Sequence, residues 1–165
     1  MLIFSVVLLD IIGIGVIFPI IPDLLKEVGI DQTASAAFWG GLLSSSYAFM
    51  QFVFSPTIGT LSDIFGRRPI LLVASLFLGI DYLLMGFAEN ILILFIGRII
   101  GGLAGGTIAT GTAYLADISD TKDKKKNFAI IGAAFGLGFI LGPIIGGLMG
   151  EISVRAPFFL SALLS

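Results

Sequence analysis

Long apolar runs alternate with short polar breaks along this chain. Six runs stand out, at about residues 2–22, 38–58, 70–88, 91–114, 128–149 and 157–165. The first five hold about 19–24 residues each, enough at about 1.5 Å per residue to cross a hydrocarbon core of about 30 Å. Each predicts a transmembrane helix. The sixth stops after nine residues with neither a cap nor a basic anchor, as expected of a chain cut within its sixth span. The breaks differ in character. Residues 23–37 are polar and acidic, Glu89 and Asn90 form a minimal turn, and 150–156 is short. The remaining two, 59–69 and 116–127, carry Arg67, Arg68, Lys122, Lys124, Lys125 and Lys126. Of the other basic residues, Lys26 and Arg155 lie in the opposite set of breaks and Arg98 lies inside a run. A six-to-two split of loop charge predicts that the N-terminus and both basic loops are cytoplasmic.

Composition strengthens this reading. Of the 165 residues, 57% are hydrophobic and only 12% charged, whereas soluble domains carry about 25% charge. The apolar start resembles a signal peptide in length alone. It has no basic leader, Asp10 interrupts it, and Pro19 and Pro22 stand where small residues would mark a cleavage site. A retained first helix is expected. The chain has no cysteine or histidine, which removes disulfides, thiol nucleophiles, the usual zinc sites and histidine proton shuttles from this stretch.

Three ionisable residues interrupt the spans: Asp10, Asp81 and Arg98. Each costs at least about 2.5–3.5 kcal/mol near a helix centre, so each is expected to face a partner or a cavity. Asp81 and Arg98 lie about equally far on either side of the Glu89–Asn90 turn, roughly 12 Å in from the surface of an antiparallel hairpin. They are expected to form an ion pair or to share a watery pocket. Simple neutralisation between two helices is the plainer role for them. Asp10 sits deeper, with no cation beside it in the sequence, and a carboxyl group there can exchange protons as access alternates.

Other patterns are quieter. Ser44, Tyr47, Gln51 and Ser55 recur on one face of the second helix, which suits either a substrate pathway or hydrogen bonding between helices. Gly97, Gly101 and Gly105 form one small-residue ridge on the fourth helix, and Gly102 and Gly106 a second. In the fifth, Gly138, Gly142, Gly146 and Gly147 surround Pro143, where a kink is expected. Close packing accounts for such glycines, and a rocking bundle also needs them.

These residues together resemble the major facilitator superfamily. Residues 59–69 (GTLSDIFGRRP) are similar to its loop motif, with Gly59, Asp63, Gly66, Arg67 and Arg68 in place; Thr60 stands where larger or basic residues are common. Arg98 and the glycines after it resemble the fourth-helix motif, and 138–147 the fifth-helix signature of drug/proton antiporters. Residues 9–22, 78–84, 114–117 and 156–159 resemble the tetracycline/proton antiporters in particular. The resemblance implies an all-α membrane protein: the N-terminal six-helix bundle of a twelve-helix fold, truncated within the sixth helix, with the C-terminal bundle absent. It implies a multi-pass protein of the bacterial inner membrane that exports a tetracycline–divalent metal complex in exchange for a proton and so confers resistance. Its partners would be the drug, the proton, the lipid bilayer and the other half of the transporter, with no nucleic acid. No cofactor or resident metal is implied, although a divalent cation such as magnesium would travel with the drug.

By motif position, Asp10, Asp81 and Arg98 match charges tied to proton coupling and transport. Gln51 matches the substrate pathway, and its helix-face neighbours Tyr47 and Ser44 join it. Asp63 and Arg67, with Asp117 as a further partner, match a latch that closes one access state. A related antiporter with another drug remains the alternative. An intramembrane enzyme would need histidine or metal ligands that this stretch lacks. A channel or assembly subunit leaves the intramembrane charges without a purpose.

Overall fold

A computed structural model describes residues 2–119 and 124–165; Lys122 of the second basic loop lies outside them. Seven helical segments follow in order among the described residues: α1 (Leu2–Glu27), α2 (Thr33–Phe65), α3 (Arg67–Gly86), α4 (Ile91–Leu103), α5 (Thr107–Ile118), α6 (Lys124–Ile152) and α7 (Ala156–Leu164). All of the regular structure described is helical, and the chain folds as the membrane bundle that the sequence pattern predicts.

The connections have local causes. α1 is closed just past its end by Gly29, whose φ of +90° is open to glycine at no steric cost. Its N–H bonds the Lys26 carbonyl at 3.0 Å and Ile30 N–H the Leu25 carbonyl at 2.9 Å, a paired C-terminal closure. α2 and α3 are joined by Gly66 alone, at φ +93°. The loop motif is therefore mostly helix, with Asp63 in the last turn of α2 and both arginines in the first turn of α3. Asn90 caps α4 by accepting from Ile93 N–H at 3.1 Å.

The distribution of polarity is the reverse of a soluble protein's. Phe18, Phe52, Ile64, Leu76, Ile152 and Leu163 lie on the outside, while Asp10, Asp81 and Arg98 are buried. Large exposed apolar surface suits lipid, not water. Among the described residues, four stretches are long and apolar enough to cross a membrane: Val7–Glu27, Arg67–Gly86, Ile91–Asp117 and Asn127–Ile152. α2 has ample length at 33 residues but is diluted by its serines and Gln51.

The fourth span differs from the single helix expected. It breaks between α4 and α5, where Ala104 N–H and Gly105 N–H each reach back only three residues, to Gly101 and Gly102, at 3.1 Å. Glycine lowers the cost of leaving the helical path there, and the tight turn places α5 against its neighbours. α6 is assigned as one helix through Pro143, so the interruption in this bundle lies beside glycines and not beside the proline.

α1 packs chiefly on α6, α2 on α4, and α3 on both α4 and α7. The α1–α6 seam depends on missing side chains. A Cβ at Gly142 would lie 2.7 Å from the Gly15 Cα, one at Gly146 2.7 Å from the Val16 carbonyl, and one at Gly138 2.5 Å from Ile11 Cγ2. Gly147, grouped with them in the sequence reading, faces open space.

Candidate functional site

The α3–α4 hairpin brings Asp81 and Arg98 together. Their turn sets the two helices antiparallel, and Arg98 Nη2 donates to Asp81 Oδ2 in a buried ion pair. Asp81 is 0% exposed and Arg98 6%. Two glycines make the room, since a Cβ at Gly101 would stand 2.7 Å from Asp81 Cγ and one at Gly97 3.0 Å from Asp81 Oδ1. The Arg98 guanidinium also lies 5.3 Å from the centre of the Tyr47 ring, within range of a cation–π contact. The charge is thus held from α3 on one side and α2 on the other.

Asp10 has no such partner among the described residues. It is 5% exposed, and its Oδ2 makes no hydrogen bond; Thr107, at the start of α5, shares its cavity. A cavity of about 10 Å³ adjoins it, lined by Asp10, Tyr47, Gln51, Gly105 and Thr107 together with apolar side chains. That is close to the smallest space that admits one water.

The polar stripe of α2 divides at this cavity. Tyr47 and Gln51 line it, and Gln51 Nε2 donates to the Gly105 carbonyl at 2.6 Å. Ser44 lies elsewhere, on a separate opening of about 280 Å³ between α1 and α2, and its hydroxyl donates to the Gly40 carbonyl at 2.9 Å. The glycine ridges also part. Gly97 and Gly101 accommodate Asp81, whereas Gly102 and Gly106 admit α2, with hypothetical Cβ atoms 2.7 Å from the Tyr47 carbonyl and 2.5 Å from Ile58 Cγ2.

At the α2–α3 turn, Arg67 gathers three partners. Nη2 meets Asp63 at 2.6 Å, Nε meets Asp117 of α5 at 3.0 Å, and Nη1 donates to the Ser62 hydroxyl at 2.6 Å. Sequence reading did not single out Ser62, which is buried. Gly66 is required by its backbone, but a Cβ on Gly59 would meet nothing. Arg68 is exposed and forms no ion pair among the described residues. Asp63, in the last turn of α2, pairs with Arg67 in the first turn of α3, across Gly66.

The other end of the bundle has its own arginine. Arg155, between α6 and α7, pairs with Glu27 at 2.9 Å and donates to the Gly86 and Ala88 carbonyls at 3.2 and 3.0 Å. It ties the ends of α1 and α3 to the α6–α7 turn. The sequence alone marks it only as a basic residue in a short break.

Comparison with known proteins gives a consistent result. Residues 3–165 match the Major Facilitator Superfamily. The chain is 43% identical to the Escherichia coli tetracycline resistance protein, class C, over 99% of its own length and 41% of that protein's. It is 36% identical to the quinolone resistance protein NorA of Staphylococcus aureus over 93% of its own length and 38% of the relative's. The structure of the human organic anion transporter MFSD10 (TETRAN) superposes with a TM-score of 0.84 at 26% identity, over 98% of this chain and 43% of that one. The chain therefore spans about two fifths of the length of these relatives. With its apolar spans, its inward-facing charges and this match along nearly its whole length, the chain is a multi-pass membrane protein that belongs to the Major Facilitator Superfamily.

Proposed function

We propose that this bundle forms the N-terminal half of a proton-coupled efflux transporter for tetracycline, carried as its divalent metal complex, and so confers resistance. A second six-helix bundle would supply the facing wall of the substrate pathway, and rocking of the two would alternate access to a midplane site. The six-to-two split of loop charge supports a cytoplasmic N-terminus in a bacterial inner membrane.

One observation carries the reading: a buried carboxyl group, Asp10, with an unpartnered oxygen beside a cavity one water wide. A carboxyl there can take a proton from one side and release it to the other without breaking an ion pair. Asp81 and Arg98 would hold the frame beside it. The Arg67 cluster would act as a latch, since it joins the α2–α3 turn to α5 through exposed pairs that a small motion breaks.

The tetracycline resistance proteins among the relatives favour tetracycline. NorA favours a second reading, an antiporter of the same superfamily for quinolone-type drugs. The test is drug-driven proton movement in proteoliposomes holding both halves of the transporter. Tetracycline with Mg²⁺ should move protons against an imposed gradient, and a quinolone should not. Flux with the quinolone alone would transfer the assignment to the second reading, and no coupled flux with either would overturn both.

A further inference from the structure

The break in the fourth span leaves two backbone carbonyls, those of Ala104 and Gly105, occupied by side chains. The Thr107 hydroxyl donates to the first at 3.1 Å and the Gln51 amide to the second at 2.6 Å. Both of these side chains also line the Asp10 cavity. Gln51 is the one that reaches across from another helix, and it rests directly on Gly105, where a Cβ would lie 2.5 Å from Gln51 Cγ. The absence of a side chain at Gly105 is what lets this contact form. The amide thus closes the α2 side of the cavity by bonding to the broken helix.

We propose that Gln51 is a positioning residue through which substrate occupancy reaches Asp10, a role that rests on Asp10 carrying the proton. While Gln51 donates to Gly105, the wall is shut and the Asp10 oxygen is confined to its one-water space. A substrate that presents an oxygen acceptor to the Gln51 amide competes with the Gly105 carbonyl for the same N–H. When it wins, α2 separates from the α4–α5 turn, water enters, and Asp10 exchanges its proton. The substrate class that operates this switch is one bearing carbonyl or enolate oxygens that accept from a primary amide. No bond other than hydrogen bonds changes, and the proton passes between the Asp10 carboxyl and water.

The test measures passive proton flux in proteoliposomes that hold both halves of the transporter, with no drug present. Gln51→Leu removes the donor, and Gln51→Asn shortens the arm by one methylene so that it falls short of Gly105. Each should raise drug-free proton flux about five- to tenfold, the shift that one hydrogen bond gives to a two-state opening. Gly105→Ala pushes the unaltered Gln51 away and should reproduce the leak. The Asp10→Asn/Gln51→Leu double variant should abolish it, because the leak passes through Asp10. A raised KM for drug with unchanged drug-free flux would make Gln51 a substrate contact only and overturn the proposal. So would a lowered melting temperature without a leak, or a leak that survives Asp10→Asn. A wild-type transporter in which no drug moves protons would instead overturn the proposed function, whatever the Gln51 variants do.

Discussion

Two carboxylates, Asp81 and Asp10, are buried in the same bundle to nearly the same extent and are treated in opposite ways. Asp81 has a guanidinium against it and two glycines cut away around it. Each leaves one oxygen without a hydrogen bond, Asp81 Oδ1 and Asp10 Oδ2, but Asp10 has a small cavity beside it and Thr107 in that cavity's lining, with no guanidinium against it among the described residues. In the proposed function the fixed counter-charge, and not burial, separates the framing role of Asp81 from the proton-carrying role of Asp10. A paired carboxylate that gives up its charge strands its partner, whereas an unpaired one can change protonation with nothing to break.

Substitutions should separate the two sharply. Asp81→Asn leaves the Arg98 guanidinium buried without its anion, which costs about 3–5 kcal/mol. It should give the largest loss, of thermal stability and transport together, read by melting the purified protein in detergent. Asp10→Asn should melt at or above the wild-type temperature and lose transport alone. A normal melt for Asp81→Asn would erase the distinction. Next comes Gly101→Ala, whose new methyl crowds Asp81 and should destabilise by about 1–3 kcal/mol. Gly147→Ala, pointing into open space, should change stability by no more than about 0.5 kcal/mol and serves as its control. The smallest effect is expected at Asp63→Asn. Its pair with Arg67 is exposed, so about 0–1 kcal/mol of stability is at stake, and turnover should slow several-fold while the fold stays intact. Unchanged turnover would reduce 59–69 to a topology signal.

The hairpin pair was readable from the sequence because equal spacing about a tight turn places two residues at equal depth. The fold was readable because six apolar runs leave few alternatives, and the Arg67 turn because Asp63 and Arg67 stand one helical turn apart. The break after α4 was not. Glycines four residues apart read equally well as a packing ridge, and nothing in their spacing shows that the Ala104 and Gly105 carbonyls are occupied from the side. The Arg155 contacts were hidden for a similar reason. Two of its partners are backbone carbonyls, which any residue supplies, and the third is Glu27, 128 residues away. Gly147 went the other way: it shares the fifth-helix signature, but it lies around the helix from Gly146 and faces nothing.

The proposed role of Asp10 as the proton carrier is decided by drug-driven proton flux of Asp10→Asn in proteoliposomes with both halves present. The expected result is a folded protein that melts like wild type and moves no protons when drug is added. Coupled proton flux at the wild-type rate from that variant would contradict it.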